Sequence, residues 1–294
     1  MKYAAIDIGS NAVRLLILES KIISNNDFYF KKIGLTRVPI RLGDDVFVEK
    51  TISLKNLSKL TKALNAFKLI MEINEVDFFR ACATSAMREA ENSLEIKKHI
   101  QLKTGVNLEI ISGKEEADII FSNFHLTKLN PKHNYIYIDV GGGSTELSII
   151  KNNKRIASKS FKIGSVRLLK NKVSNKIWPS INKWVEKQNV LNEKFTAIGT
   201  GGSITKIYNL SNNSIGKPLS IIALKKVLTL ISSYDYEDRI KILGLKPDRA
   251  DVIVPSGDIY TEVMNSFKAE QIIVPKVGLA NGIIYNLFLD NEIN

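Results

Sequence analysis

One pattern that occurs twice most constrains how this chain can fold. An apolar run ends in an aspartate, and a glycine-containing polar turn and a second apolar run follow it. The first copy places Asp7 before Gly9-Ser10-Asn11, and the second places Asp139 before Gly142-Gly143-Ser144. We align these two turns with each other. The two aspartates lie 132 residues apart, which is close to the length of one domain. We therefore predict two similar domains in tandem.

The turns in this pattern have the composition of phosphate-binding loops. Glycine has no Cβ, so several backbone N–H groups can converge on one anion. A third glycine-rich stretch, residues 199–203, follows an apolar strand and opens a helix, whose N-terminus can also bind an anion. Each turn alone is only weak evidence for phosphate binding. Three glycine-rich loops that each follow a strand favour a phosphate-binding function over three unrelated turns. The predicted phosphate-binding residues are Gly9, Ser10, Asn11, Gly141, Gly142, Gly143, Ser144, Thr145, Gly201 and Gly202.

Two carboxylates flank the second glycine turn. Asp139 ends one predicted strand of the hairpin and Glu146 begins the next, so the two side chains are expected near each other at the mouth of the loop. Carboxylate oxygens are typical ligands of Mg²⁺. The plainer interpretation is a tight hairpin that carries solvated carboxylates.

A helix start supplies a candidate catalytic residue. Ser112 and Glu115 have the spacing of a capping box, in which the glutamate folds back onto the first residue of the helix. We therefore assign chemistry to the next residue, Glu116, rather than to Glu115. A helix N-terminus that follows a strand faces the ligand crevice of an α/β sheet.

Charge and cysteine usage narrow the classes of partner. The chain has 42 Lys and Arg against 30 Asp and Glu, a net charge of +12, which favours polyanionic ligands unless it only reflects a lysine-rich proteome. The single cysteine excludes an intramolecular disulfide, and the three histidines lack metal-ligand spacing. No apolar run approaches 18 residues, so we predict neither a signal peptide nor a membrane anchor, and a cytoplasmic location.

Six motifs, in order along nearly the whole chain, resemble the exopolyphosphatase/guanosine pentaphosphate phosphohydrolase (Ppx/GppA) family. They are residues 6–14, 84–88, 111–117, 139–146, 199–203 and 249–251. The resemblance implies an α/β fold of two ribonuclease-H-like domains, as in actin and sugar kinases, with an interdomain cleft. It assigns residues 1–128 and the C-terminal helix, about 281–294, to the first domain, and 129–280 to the second. Longer members append a helical domain, and this chain ends before it.

The resemblance also implies roles for individual residues. The family's catalytic base, the second glutamate of its Glu-Glu-Ala motif, falls on Glu116. Asp139 and Glu146 match its metal-associated carboxylates, with Asp7 close by, and the metal is Mg²⁺ or Mn²⁺. Arg14 and Arg88 would act as guanidinium clamps on the transition state.

Plainer structural roles stay open for the two arginines. Arg14 could face solvent or cap the sheet, and Arg88 could form a salt bridge with Glu91 or Glu95. Other basic side chains could line a path for the remaining phosphates, namely Lys31, Lys32, Arg37, Arg41, Arg167 and Lys206.

The expected activity is hydrolysis of the terminal phosphate of polyphosphate or guanosine pentaphosphate. A kinase of the actin-like fold is one alternative, and it would need an adenosine site at residues 199–203. A non-catalytic sensor of guanosine tetra- or pentaphosphate is the other, although a pure binder has no need of a base. We expect a polyanionic phosphate substrate and no nucleic-acid or membrane partner, and the sequence leaves a homodimer open.

Overall fold

The computed structural model describes residues 1–24, 27–122, 129–188, 190, 193–214, 216–275 and 277–293. Residue contacts divide the chain into two units, of which the first comprises Met1–Leu126 and Gly278–Asn294 and the second Thr127–Val277. The boundary predicted at residue 128 lies outside the described residues.

The first unit is built on a mixed sheet. Among the described residues this sheet has five strands in the order β3-β2-β1-β4-β5. The strands β1, β2 and β3 pair antiparallel, whereas β1, β4 and β5 pair parallel. Their bounds are β1 Lys2–Ile8, β2 Val13–Ser24, β3 Asp27–Val38, β4 Phe78–Ala83 and β5 Leu108–Ile110.

Helices follow β3, β4 and β5 along the chain. Their bounds are α1 Leu42–Glu49, α2 Leu54–Ile73, α3 Ser85–Glu89, α4 Ser93–Thr104 and α5 Gly113–Ser122. The Ser53 side chain caps α2 by accepting the Asn56 N–H, and α2 buries an apolar stripe that includes Leu60, Leu64 and Phe67. Helix α1 follows β3 along the chain. Two aspartates in its first turn face the positive end of the helix dipole, a position that favours helix formation.

The second unit repeats the topology of the first. Its sheet, within the described residues, has the order β10-β11-β9-β6-β7-β8, and the run β8-β7-β6-β9-β11 matches β3-β2-β1-β4-β5 in sequence order and direction. This repetition confirms the predicted pair of ribonuclease-H-like α/β domains. The strand bounds are β6 Asn134–Val140, β7 Thr145–Lys151, β8 Lys154–Phe161, β9 Phe195–Thr200, β10 Leu219–Ser220 and β11 Gln271–Ile273.

The structure corrects the alignment of the two glycine turns by one residue. In the first hairpin the Gly9 N–H donates to the Ala12 carbonyl at 3.1 Å, and in the second the Gly141 N–H donates to the Ser144 carbonyl at 3.0 Å. Gly9 therefore corresponds to Gly141, not to Gly142. The sequence comparison had matched Gly9 with Gly142, whereas the strand pairing fixes the register.

Helices of the second unit cover its apolar sheet. Their bounds are α6 Ser165–Leu169, α7 Ile177–Lys187, α8 Gly202–Leu210, α9 Ile221–Ser232, α10 Tyr236–Lys241, α11 Pro247–Ala250 and α12 Ile253–Ser266. Ile136, Ile138 and Leu147 on the strands are fully buried, as are Ile259 and Val263 on α12.

The C-terminal helix α13, Leu279–Phe288, belongs to the first unit and continues into a π-helical segment, Leu289–Ile293. Phe288 is fully buried and its ring meets that of Tyr3 edge to face. The Tyr3 hydroxyl donates to the Glu292 carboxylate at 2.8 Å. These contacts attach the end of the chain to β1. Within the described residues, no helix combines the length and the apolar character that a membrane crossing requires.

Cys82 in β4 should be chemically inert in the folded protein. Its side chain is fully buried, and burial raises the pKa of the thiol to about 12. Because the pKa is raised, the thiol stays protonated at neutral pH, and the thiolate is the reactive form. We expect no reaction with a chromogenic disulfide reagent at pH 8 in the native protein, and one equivalent of reaction after denaturation in guanidinium. Rapid labelling of the native protein would contradict this assignment.

Candidate active site

The predicted functional segments of the first unit meet at one edge of its sheet. Strands β1, β4 and β5 are parallel, so their carboxyl ends lie together. The glycine turn follows β1, α3 follows β4, and α5 follows β5. This edge is where open α/β sheets bind ligands.

Arg88 and Glu116 form an ion pair at this edge. The Arg88 Nη1 atom lies 3.2 Å from Glu116 Oε2 and also donates to the Ile111 carbonyl at 2.8 Å. Glu116 is only 6% exposed, whereas the side chain of Arg88 is 24% exposed. The alternative of a bridge from Arg88 to Glu91 or Glu95 is therefore wrong. The structure brings together the predicted base and one of the predicted clamps.

The neighbouring glutamate has a different role from the one predicted. The Ser112 hydroxyl accepts the Glu115 N–H at 3.1 Å, which is the first half of a capping box. The Glu115 carboxylate does not fold back onto the cap, because it forms an ion pair with Arg80 at 2.8 Å. The partner of Glu115 is therefore a residue of β4 rather than the helix cap, and the assignment of chemistry to Glu116 instead of Glu115 stays a prediction.

Asp7 and Arg14 occupy directly opposite positions on β1 and β2. The Arg14 Nη1 atom donates to Asp7 Oδ2 at 2.7 Å, and Asp7 is almost fully buried. The side chain of Arg14 is 37% exposed, so its guanidinium compensates the aspartate while remaining open to solvent. A metal role for Asp7 stays a prediction, but its carboxylate already has a cationic partner.

The first glycine turn is tied to the elements that follow it. The hydroxyls of Ser10 and Ser85 share a buried hydrogen bond of 2.8 Å, which joins the turn to the start of α3. The Gly43 N–H donates to the Ser10 carbonyl at 2.8 Å, and the Arg41 N–H donates to the Asn11 carbonyl at 3.2 Å. These bonds connect the turn both to α1 and to the helix that carries Arg88.

The second hairpin places two carboxylates opposite each other. Asp139 on β6 pairs in register with Glu146 on β7. The Thr200 hydroxyl donates to Asp139 Oδ1, and the Ser160 hydroxyl donates to Glu146 Oε1 at 2.7 Å. Like charges at directly opposite positions destabilise a sheet unless a cation or hydrogen bonds offset them.

The backbone of the second turn is oriented by residues 164–167. The carbonyl of Gly141 accepts the Ser165 N–H, the carbonyl of Gly142 accepts the N–H groups of Val166 and Arg167, and the carbonyl of Gly143 accepts the Arg167 Nε–H. All of these donors belong to α6. The N–H groups of Gly142, Gly143 and Ser144 make no hydrogen bond within the described part of the chain. Successive N–H groups with carbonyls turned away form an anion-binding nest.

Two assignments around this turn are corrected. Thr145 was predicted to bind phosphate, but it is fully buried and its hydroxyl donates to the Ile163 carbonyl at 2.6 Å. Arg167 was placed on a surface path for distant phosphates, but it is 5% exposed and supports the turn at Gly143. The segment 162–167 directly after β8, with Gly164, Ser165 and Arg167, was the available sequence signal for this support.

The third loop links β9 to α8. Gly201 has φ 112°, a backbone conformation that L side chains rarely adopt, so glycine is required there. The Arg249 guanidinium lies against Gly202, where an added Cβ would be 2.6 Å from Nη2. Tyr260 of α12 is fully buried, and its hydroxyl contacts the ends of β6 and β9. Sequence inspection missed Tyr260 because it lies inside an ordinary apolar helix.

The donor set suits a hydrated divalent cation. The described residues contain no group of three or more His, Cys, Asp or Glu side chains that could enclose a metal. Mg²⁺ characteristically takes one or two protein carboxylates and completes its shell with water and substrate phosphate. The opposed pair Asp139 and Glu146 matches that requirement.

Known proteins similar to this chain were found by sequence and by structure. A bifunctional 3-dehydroquinate synthase/phosphatase of Fusobacterium nucleatum is 30% identical over 302 residues, which cover 92% of this chain and 44% of that protein. Exopolyphosphatase 1 of Mycobacterium tuberculosis is 22% identical over 313 residues, covering 99% of this chain and 89% of the relative. The chain therefore spans less than half the length of the Fusobacterium protein.

Solved structures agree with the fold. An exopolyphosphatase from Cytophaga hutchinsonii superposes with a TM-score of 0.85 at 20% identity over the whole of both chains. The Aquifex aeolicus member of the Ppx/GppA family superposes with a TM-score of 0.76 at 26% identity over 99% of both chains. Residues 21–291 of the sequence match the family described as the Ppx/GppA phosphatase family. The chain belongs to the Ppx/GppA phosphatase family.

Proposed function

We propose that this chain hydrolyses the terminal phosphoanhydride of inorganic polyphosphate, of guanosine pentaphosphate, or of both. The observation that carries the proposal is the buried Glu116 carboxylate, which Arg88 holds at the ligand edge of the first unit. Relatives named exopolyphosphatase and guanosine-5'-triphosphate,3'-diphosphate pyrophosphatase support the choice of substrates. Nothing in the geometry favours the kinase or the sensor.

Glu116 is assigned the role of general base. A base must be ionised to accept a proton, and the guanidinium of Arg88 favours the ionised carboxylate. We assign the attacking water to this carboxylate, which Arg88 contacts through Oε2. The water oxygen bonds to the terminal phosphorus, its proton passes to Glu116, and the bridging P–O bond breaks. The shortened chain leaves with the bridging oxygen and its electron pair.

The glycine turns are assigned to the phosphate oxygens. The three N–H groups of Gly142, Gly143 and Ser144 supply preorganised donors, and they need no rearrangement as charge develops. In the first unit, Arg14 offers a partly exposed guanidinium beside the turn at residues 9–11. Charge on phosphoryl oxygens is the main obstacle in phosphoryl transfer, so such donors contribute directly to the rate.

Asp139 and Glu146 would hold Mg²⁺ or Mn²⁺. When bound, the ion would neutralise charge on the phosphate oxygens. We expect Asp139→Asn to raise the Mg²⁺ concentration for half-maximal phosphate release by about tenfold, because the variant loses a charged ligand. Ser148→Ala on the neighbouring strand β7 is the control, and it should leave the Mg²⁺ titration unchanged. An unchanged titration for the Asp139 variant would exclude this pair as the metal site.

A phosphate-release panel tests the function as a whole. Purified protein with Mg²⁺ is offered short polyphosphate, long polyphosphate, guanosine pentaphosphate and ATP, each without an acceptor. We expect inorganic phosphate from at least one of the first three substrates. Tight binding of guanosine pentaphosphate without turnover would favour the sensor, and phosphate transfer only in the presence of an acceptor would favour the kinase.

A further inference from the structure

Helix α12 brings one hydroxyl to the edge of the sheet that carries Asp139. At its C-terminal end, the ring of Phe267 packs against that of Phe195, the first residue of β9. Tyr260 lies two turns earlier and meets Thr200, the last residue of β9. The helix therefore runs antiparallel to β9 and places Tyr260 at the carboxyl ends of the parallel strands.

The Tyr260 hydroxyl bridges the last pair of residues in the β6–β9 ladder. It accepts the Val140 N–H at 3.3 Å and donates to the Thr200 carbonyl. Asp139 and Thr200 are partners in this ladder, and the Thr200 hydroxyl donates to Asp139 Oδ1. One buried hydroxyl thus contacts the peptide group that follows Asp139 and the carbonyl of the residue that orients the Asp139 side chain.

The phenol is suited to holding this geometry rather than to transferring a proton. Tyr260 is fully buried, and burial together with the charge of Asp139 raises the pKa of its hydroxyl well above the ordinary value. The hydroxyl therefore remains protonated, and it keeps donating to the Thr200 carbonyl at any pH at which the protein is active.

We propose that Tyr260 is a positioning residue that sets Asp139 relative to Glu146 and thereby tunes the affinity of this pair for a divalent cation. The inference rests on the proposed function, because it assumes that the pair binds the metal. It adds a residue of α12, outside every glycine turn, to the determinants of that site.

The test is Tyr260→Phe, which removes one oxygen and keeps the ring. The Thr200 carbonyl then loses a buried hydrogen bond, and the ends of β6 and β9 loosen. We expect the dissociation constant for Mn²⁺, measured by calorimetry without substrate, to rise about tenfold, in the range for losing a group that orients a metal ligand. The Mg²⁺ activation constant should rise by the same factor, with little change in KM for polyphosphate at saturating Mg²⁺.

Tyr208→Phe is the matched control. Tyr208 is also buried, lies on α8 in the same unit, and its hydroxyl contacts the carbonyls of Ser214 and Lys217 at 2.7 and 2.8 Å. Both variants should lose comparable thermal stability, since each leaves a carbonyl without its hydroxyl donor. Only the Tyr260 variant should change Mn²⁺ affinity. Equal Mn²⁺ affinity for wild type and both variants would overturn the proposal.

Hydrogen exchange gives a second readout that requires no activity. The Val140 amide should exchange faster in Tyr260→Phe than in wild type, and its exchange rate should be unaffected in Tyr208→Phe.

Failure of the proposed function can be distinguished from failure of this inference. If the wild-type protein binds Mn²⁺ but releases no phosphate, the proposed function is wrong, and the comparison of Mn²⁺ affinities between the variants remains valid. If Tyr260→Phe does not fold, 3-fluorotyrosine at position 260 replaces it. A fluorine resonance that does not shift on Mg²⁺ binding would then overturn the proposal.

Discussion

Replacing Glu116 by Gln should lower the rate of phosphate release by two to four orders of magnitude, the usual contribution of a general base. The amide has the same shape as the carboxylate and can still accept a hydrogen bond from Arg88, but it cannot take a proton from water. The fold and substrate affinity should stay close to those of the wild type. Single-turnover phosphate release at saturating substrate measures the chemical step, and equilibrium binding of guanosine pentaphosphate measures affinity.

Glu115→Gln is the matched control for this experiment. It makes the same chemical change one residue earlier on α5, where the carboxylate pairs with Arg80 instead of Arg88. Since exposed ion pairs contribute little to stability, this variant should retain near-normal activity. Full activity in the Glu116 variant, or equal losses in both variants, would remove Glu116 from the role of base.

Adding a single methyl group at Gly164 should be almost as damaging, although this residue carries no functional side chain. A Cβ there would lie 2.5 Å from the Gly142 carbonyl carbon and 2.5 Å from the Gly143 nitrogen. Backbone atoms cannot move aside as flexible side chains can, so the nest of N–H groups must shift. A displacement of about 1 Å at a positioned group costs about 100-fold in rate. We expect a loss of that order in kcat/KM for Gly164→Ala, with a stability loss of about 1–3 kcal/mol from overpacking.

The glycine at position 34 provides the comparison. It lies in β3, and a Cβ built there meets no atom within 4 Å, so Gly34→Ala should leave both activity and thermal stability near wild type. Steady-state kinetics and thermal denaturation of the two variants separate a local effect from a general one. Wild-type kcat/KM in Gly164→Ala would show that the geometry of the second turn does not limit the reaction.

Local patterns in the sequence were enough to predict the hairpins and the tandem arrangement. The alternation of apolar and polar residues in a strand and the presence of a glycine turn are recognisable within a few residues. Both copies of the Asp-turn motif form hairpins as expected. The distinction between Glu115 and Glu116 also came from local spacing, although the actual partner of Glu115 is Arg80, 35 residues away in sequence. Such partners depend on which strands lie side by side, and residue spacing does not encode that.

The remaining corrections have the same origin. From the sequence, Thr145 was assigned to the loop as a phosphate-binding hydroxyl. In the structure Thr145 begins β7, and its hydroxyl donates to the Ile163 carbonyl. Tyr260 reads as one more apolar residue of α12, and only the antiparallel course of that helix along β9 brings its hydroxyl to Thr200. Contacts between elements that are distant in sequence decide both cases, so tertiary structure was required to see them.

The two hairpins share one backbone plan but carry opposite charges at the position that faces the aspartate of the motif. In the first hairpin Asp7 lies opposite Arg14 of β2, and in the second Asp139 lies opposite Glu146 of β7. One half of the molecule thus carries its counterion as part of its own covalent chain, whereas the other, on the proposed metal binding, must recruit one from the surrounding solution. If the proposed metal binding holds, the second unit would respond to the concentration of free magnesium, whereas the first unit has a cation built into its own sequence.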